Sequence, residues 1–146
     1  MELLPLAWTT EDRFMLQLLF TPEEAQPFLA GGRPDSRTSG SAPLDWTRLR
    51  DTARREGVAA FLFRNIRKHR LEALIPEPIH RDLSDQYRRN LRRNMAIIGI
   101  LRRVLSGFRE KGISCIVLKG IALAELVYPD IAVRGMSDVD LLIRKD

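Results

Sequence analysis

The sequence predicts an α+β fold, in which an N-terminal helical region leads through one long helix into the first strands of a mixed sheet. Apolar residues recur every three or four positions through most of the chain, as on the buried face of a helix. The run at 113–118 is instead mainly apolar and β-branched, which is typical of a strand, and a second apolar run lies at 139–143. We therefore divide the chain into a helical region at 1–76, the long helix at 77–112 and the start of a sheet-containing core at 113–146.

Residues 11–30 are predicted to form two short helices. The second has Thr21 as a suitable N-cap, Pro22 in the first helical position and Glu24 completing a capping box. Residues 31–43 consist mostly of Gly, Ser, Pro and charged residues, so we expect a mobile loop there. The first helix carries the apolar residues Phe14, Leu16, Leu18, Leu19 and Phe20.

A helical hairpin is predicted next. Its first helix runs from Asp45, as N-cap, to Glu56 and is closed by Gly57. Its second helix runs from Val58 to about Arg70. The residues at helical spacing that we expect to be buried are Trp46, Leu49 and Ala53 in the first helix and Ala59, Leu62, Phe63 and Ile66 in the second.

The longest predicted element is a helix over 79–111, ended by Gly112. Between Glu77 and Gly112 there are nine basic and four acidic residues, so this segment carries 9 − 4 = +5, equal to the net charge of the whole chain. Its continuous apolar stripe consists of Leu83, Tyr87, Leu91, Met95, Ile98, Leu101, Leu105 and Phe108.

The arginines of this helix allow two interpretations. We expect them to keep the exposed face in solvent while the apolar stripe packs on the domain. The alternative is a surface that binds nucleic acid or polyphosphate. Tyr87 is the one aromatic residue among the arginines at 81–103, so the sequence shows no series of stacking platforms for single strands.

Several classes of site and location are not expected. No run of apolar residues approaches the length of a membrane span, and the N-terminus lacks the basic and apolar segments of a secretory signal, so we expect a cytoplasmic protein. Cys115 is the only cysteine and lies in the first strand, where we expect a buried structural thiol. His69 and His80 have no partners at metal-ligand spacing, so we expect surface residues and no zinc site.

The last thirty residues contain the candidate metal-binding residues. If 138–143 is a strand, Asp138 and Asp140 share one face about 7 Å apart, while Val139 and Leu141 point into the core. Two carboxylates held together repel unless a cation lies between them. Mg²⁺ is the natural candidate, because it takes one or two carboxylates together with substrate phosphates.

A phosphate-binding turn is expected where the first strand ends in Lys119-Gly120. Glycine lets the backbone approach a ligand, and the helix predicted over 120–127 offers free N–H groups to an anion. Lys119 would add a positive charge. The residue before Pro129 leaves the helical region, so Tyr128 ends this helix, and we expect it to pack rather than stack on a base.

Two stretches carry a specific resemblance: Leu118-Lys-Gly-Ile-Ala-Leu-Ala-Glu-Leu-Val-Tyr128-Pro-Asp and Arg134-Gly-Met-Ser-Asp-Val-Asp-Leu-Leu-Ile143. The chain resembles the uncharacterised nucleotidyltransferase family within the DNA polymerase β-like superfamily over its whole length. The upstream segment Leu44-Asp-Trp46 is also similar to that family.

The resemblance implies a nucleotidyltransferase-like mixed sheet and Mg²⁺-dependent transfer of a nucleoside monophosphate from a nucleoside triphosphate to an unknown acceptor. It implies that Asp138 and Asp140 are the catalytic, metal-binding pair of a two-metal site. It further implies that Lys119, Gly120, Ser137 and Arg134 contact the nucleotide. From the residues themselves, Arg134 would either bind phosphate or pair with one of the aspartates.

The sequence departs from the superfamily in two respects. The superfamily usually has Gly-Gly or Gly-Ser at the turn, whereas here Lys119 precedes Gly120 and Ile121 follows it. The superfamily also uses a third carboxylate from a later strand, which does not occur before Asp146. We therefore expect a missing C-terminal segment or a partner chain to complete the sheet after Ile143, and the chain alone to be inactive. The alternative function is a non-catalytic module that binds nucleic acid or protein through the basic helix 79–111.

Overall fold

The computed structural model describes residues 9–20 and 44–144. The chain divides into two compact units, unit 1 being Met1–Ser84 and unit 2 Asp85–Asp146. Together the described elements form an α+β fold with one long helix, as the sequence predicts. The boundary between the units falls within that helix, and each unit is described separately below.

Unit 1 is helical in its described part. Helix α1 spans Thr10–Phe20, α2 spans Trp46–Arg55, α3 spans Ala59–Lys68, and a 3-10 turn over Glu72–Leu74 precedes the long helix α4, Glu77–Glu110. The predicted first helix and helical hairpin are therefore confirmed. The predicted second N-terminal helix and the loop at 31–43 lie outside the described residues.

The ends of the hairpin helices follow from their capping residues. The Asp45 side chain accepts a hydrogen bond from the Arg48 N–H at the start of α2, as predicted for an N-cap. Gly57 adopts a left-handed φ of 73° after α2, a conformation that costs glycine little. Helix α1 packs on both α2 and α3. The largest fully buried apolar side chains of unit 1 are Phe14, Leu18, Leu49, Leu62, Ile66, Leu71 and Leu83.

The two histidines are less exposed than predicted. The His80 ring lies 5.4 Å from the Phe63 ring centroid, and its Nε2 is buried without a hydrogen-bond partner among the described residues. The prediction of a surface residue is therefore wrong for His80, because its ring lies against the Phe63 ring of α3 and its Nε2 is buried. His69 is half-buried.

Unit 2 contains the rest of α4, strand β1 (Cys115–Leu118), helix α5 (Lys119–Leu126) and strand β2 (Asp140–Ile143). The strands are antiparallel, with Leu118 opposite Asp140 and Cys115 opposite Ile143. Gly112, with a φ of 68°, follows the end of α4 as predicted. The core of unit 2 consists of Leu101, Ile121, Ala124 and Met136, with Ile97, Ile98, Leu105, Val117, Val139 and Leu141 packed against it.

The predicted stripe on α4 is wrong at one position. Met95 is 59% exposed, whereas Asn90 and Asn94 are buried. Each residue advances a helix by about 100°, so Asn94 continues the buried face of Tyr87 and Leu101 while Met95 is turned away from it. The buried face of α4 is therefore polar in its middle, which places amide groups inside unit 2.

Strand β1 is less buried than predicted. Val117 packs on the core of unit 2, but Ile116 is 60% exposed and its partner Leu142 is 54% exposed. Successive strand residues face opposite sides, so the described elements cover one face of this sheet and leave the other open. Cys115 is accordingly half-buried and not the buried thiol expected. Among the described residues, no helix has both the length and the apolar character needed to cross a membrane.

Candidate functional site

Unit 2 contains a cleft of about 180 Å³ between the β1–α5 junction and the loop that leads into β2. All six residues predicted for the site line it. The complete lining is Lys119, Gly120, Arg134, Gly135, Met136, Ser137, Asp138 and Asp140. Two sequence stretches that are separated by a helix and a loop therefore meet at one cleft.

The two aspartates occupy different positions relative to the strand. Asp140 is the first residue of β2, whereas Asp138 lies two residues before it and is exposed. Strand β2 therefore begins two residues later than the predicted start at residue 138. Val139 and Leu141 pack against the core, as predicted from their alternation with the aspartates. The Ser137 hydroxyl donates to Asp138 Oδ1 at 3.2 Å, so Ser137 orients one of the carboxylates.

Lys119 makes the turn from β1 into α5. Its φ is 55°, a left-handed conformation that costs a residue with a Cβ about 1–2 kcal/mol. Its ammonium Nζ lies 3.2 Å from Asp140 Oδ2. The cleft therefore contains an internal ion pair between a predicted phosphate ligand and a predicted metal ligand.

Gly120 has a different role from the one that glycine usually takes at such turns. The positive φ belongs to Lys119, and Gly120 is already the second residue of α5. A Cβ at Gly120 would meet only the Met136 Cγ, at 3.9 Å, which is an ordinary contact. The part of the chain that the structure describes therefore does not require glycine here, and the missing side chain leaves the floor of the cleft open.

Arg134 is held by an aromatic residue. Its guanidinium donates to the Tyr128 hydroxyl at 2.9 Å and lies 5.8 Å from the Tyr128 ring centroid. Two roles were considered for Arg134, and the described residues show no ion pair between it and Asp138 or Asp140; the ion pair at Asp140 is made by Lys119. The half-buried Tyr128 packs under a cation, consistent with the packing role expected for it.

Sequence reasoning missed two asparagines that hold the loop before β2. Asn94 donates to the carbonyls of Ile131 and Arg134 and accepts from the Met136 N–H. Asn90 donates to the Ala132 carbonyl at 3.0 Å. The sequence feature that could have revealed them is a pair of asparagines four residues apart beside the apolar stripe of α4. A polar side chain at such a buried position needs a hydrogen-bond partner.

Further contacts anchor the start of the same loop. The Tyr87 hydroxyl donates to a carboxylate oxygen of Asp130, whose other oxygen accepts from the Ala132 N–H at 2.8 Å. Residues 130–136 are thus bonded at several points to the buried face of α4, although they form no helix or strand. The loop reaches Asp138 two residues after the last of these bonds.

The carboxylate oxygens of the cleft suit a hard cation whose other ligands are water and substrate phosphates. Asp138 and Asp140 offer carboxylate oxygens, and the described residues contain no group of three or more His, Cys, Asp or Glu side chains able to hold a metal ion. Mg²⁺ is bound in this way in many phosphate-processing sites, by one or two carboxylates together with waters and substrate phosphates. The carboxylates and open volume of the cleft fit that arrangement.

Comparison with known proteins gives one match. A family model described as uncharacterised nucleotidyltransferase matches residues 42–146. The match includes α2, α3, α4 and the whole cleft. No curated protein matches the chain, and no solved structure does.

Proposed function

Because the chain belongs to the uncharacterised nucleotidyltransferase family, we propose that its cleft binds a nucleoside triphosphate with Mg²⁺ and transfers the nucleoside monophosphate to an acceptor, with pyrophosphate as the leaving group. The observation that carries this proposal is the meeting of Lys119, Gly120 and Arg134 with the two aspartates at one cleft. A cytoplasmic location is part of the proposal, since the triphosphate substrate is abundant there.

In this proposal Asp138 and Asp140 hold the metal. Bound Mg²⁺ would neutralise charge on the triphosphate and orient it for in-line displacement. The Ser137 hydroxyl restrains Asp138 through their 3.2 Å hydrogen bond. The contribution of the protein is therefore to position two carboxylates at the start of β2.

The positive groups of the cleft would bind the phosphates. Lys119 and Arg134 are both exposed at the cleft, where a phosphate oxygen can approach them. The first turn of α5, which includes Gly120, adds backbone N–H groups that are not bonded within the helix. Tyr128 holds the Arg134 guanidinium in place through its hydroxyl and its ring.

Titration of the chain with a nonhydrolysable triphosphate tests the proposal. We expect binding that requires Mg²⁺ in the natural chain and at least about a tenfold loss in the double variant Asp138→Asn, Asp140→Asn, since metal and carboxylates act together. The charge-matched control is Asp51→Asn with Glu56→Gln, two exposed acids of unit 1. Equal binding by the natural chain and the aspartate variant, both folded by circular dichroism, would reject the assignment.

A nucleic-acid surface on α4 is the second candidate function. The observation that favours it is a group of exposed arginines with no ion pair among the described residues: Arg88, Arg89, Arg92, Arg93, Arg102 and Arg103. Neutralising Arg88, Arg89, Arg92 and Arg93 together would weaken binding of a single-stranded RNA and flatten its salt dependence. The aspartate variant would bind that RNA unchanged, which separates the two candidates.

A further inference from the structure

We propose that Asn94, assisted by Asn90, is a positioning residue that sets the geometry of the nucleotide site from the buried face of α4. The inference rests on the proposed function, because what the two amides position is the loop carrying Arg134 and Asp138. Neither asparagine lines the cleft. Their effect on it would be transmitted through the loop backbone.

Asn94 uses its whole amide on that backbone. Its side chain is fully buried. Nδ2 donates to the carbonyls of Ile131 and Arg134, the latter at 2.7 Å, and Oδ1 accepts from the Met136 N–H at 3.1 Å. One side chain therefore bonds the loop on both sides of Gly135, the residue between Arg134 and Met136.

Asn90 adds a second point of attachment one helical turn earlier. Nδ2 donates to the Ala132 carbonyl, and Oδ1 accepts from Gln86 Nε2, both at 3.0 Å. A Cβ built on Gly135 would lie 3.2 Å from Asn90 Oδ1, closer than side chains normally approach. The Gly135 backbone thus lies directly against the amide of Asn90.

These bonds replace the ones that a helix or strand would supply. A turn bond joins the Val133 N–H to the Asp130 carbonyl at 3.3 Å, but the loop 131–139 has no ladder or helical bonds to fix its backbone. Buried peptide groups without partners are costly. Asn94 supplies partners for the two peptide groups on either side of Gly135, and Asp138 follows Met136 by two residues. Removing the amide would leave these peptide groups without partners and loosen the backbone between Arg134 and Asp138, while the bonds of Asn90 to Ala132 and of Tyr128 to Arg134 remain.

The first experiment measures hydrogen exchange of the full chain carrying Asn94→Leu, which keeps the number of side-chain heavy atoms but removes every hydrogen-bonding group. We expect amides of 131–138 to exchange at least about tenfold faster, because their local opening no longer breaks the Asn94 bonds. The matched control is Asn65→Leu. Asn65 is a buried asparagine of unit 1 that donates to the carbonyls of Leu18 and Leu19, so its loss lowers stability without touching this loop.

The second experiment measures Mg²⁺-dependent binding of a nonhydrolysable triphosphate by the same chains. We expect Asn94→Leu to weaken it by about 10- to 100-fold, the range found when residues that orient metal ligands are replaced, and Asn65→Leu to leave it unchanged. Asn90→Ala removes one carbonyl bond and should give a smaller loss of the same kind. If Asn94→Leu fails to fold, triphosphate binding and hydrogen exchange of Asn90→Ala test the inference in its place.

Each outcome has a defined meaning. Unchanged exchange of 131–138 in a folded Asn94→Leu chain overturns the inference, and so does faster exchange with unchanged triphosphate binding. Equal weakening of triphosphate binding by Asn94→Leu and Asn65→Leu overturns it as well, since the effect would then be one of general stability. Absence of triphosphate binding by the natural chain instead rejects the proposed function, while the exchange data still decide whether Asn94 holds the loop.

Discussion

The ion pair between Lys119 and Asp140 places a cation of the protein against an oxygen that the proposed metal would use. The Lys119 side chain is 75% exposed, so the pair contributes no more than about 1 kcal/mol. In the proposed site Mg²⁺ and Lys119 compete for Asp140, and a triphosphate would relieve the competition by offering Lys119 a new partner. The site would then prefer the metal and the nucleotide together over either one alone.

Replacing Lys119 with Met tests this competition. Free Mg²⁺ should bind up to about fivefold more tightly, because Asp140 loses its exposed partner, whereas the Mg²⁺-triphosphate complex should bind more weakly. Both affinities are measured by titration calorimetry. Lys111→Met is the control, since Lys111 is an exposed lysine outside the cleft. A parallel change in both affinities would contradict the competition.

Gly120 allows stability and binding to be separated at a single residue. Gly120→Ala should leave thermal stability unchanged or raise it by about 0.5–1 kcal/mol, because glycine disfavours helices and the new Cβ meets only Met136 at 3.9 Å. The same Cβ would narrow the cleft and weaken triphosphate binding. Gly99→Ala, on α4 with open space around it, should stabilise without affecting binding. Undiminished binding by Gly120→Ala would show that the nucleotide does not approach this backbone.

At the scale of elements, α1 is attached to α2 by a buried carboxylate. Glu11 is 9% exposed, and its Oε1 accepts from the Asp45 N–H at 3.1 Å, just before α2 begins. Burial acts to raise the pKa of Glu11, but the hydrogen bonds that it accepts, that of Asp45 foremost, outweigh burial and hold the pKa below its usual value. The ionised form of Glu11 therefore stabilises the contact between the two helices.

This contact should make unit 1 sensitive to acid. Because the pKa of Glu11 is lower in the folded state, the folded protein binds fewer protons than the unfolded chain. The contribution of ionised Glu11 to stability is therefore complete above the ordinary carboxyl pKa of roughly 4. It is lost as the pH falls through the lower pKa of the folded state. Glu11→Gln should lower the melting temperature at pH 7, with the difference from the natural chain shrinking towards pH 3. A constant difference over that range would contradict the role of the charge.

Elements with a strong local signal were predictable. The hairpin helices α2 and α3 follow from apolar spacing, the Asp45 cap and Gly57, all of which act within a few residues. The start of β2 and the extent to which β1 is buried were not predictable from the sequence, because both depend on pairing and packing with distant segments. The apolar pattern also misled on α4, where Met95 fitted the spacing but Asn94 is the residue that meets a partner.

At the scale of the whole molecule, the residues that line the site were predictable from the spacing of Asp138 and Asp140, from the Lys119-Gly120 turn and from the family resemblance, but the residues that support the site were not. The resemblance named Lys119, Gly120 and the aspartates by position, and the structure brings them to one cleft of unit 2. The amides of Asn90 and Asn94 were missed because hydrogen bonds to backbone carbonyls leave no residue pattern in the segment they hold. Helix α4 contributes residues to both units, so a single element supplies the core of unit 1 and the support of the site in unit 2.

The loop before β2 also has a spectroscopic consequence. The chain contains two tyrosines, and each is bonded to one end of this loop, Tyr87 to Asp130 and Tyr128 to Arg134. Biosynthetic incorporation of fluorotyrosine would therefore give two ¹⁹F resonances, both from side chains bonded to the segment that leads into β2. Changes in their chemical shift or linewidth would follow events at the loop in the intact chain, free of background from the rest of the molecule.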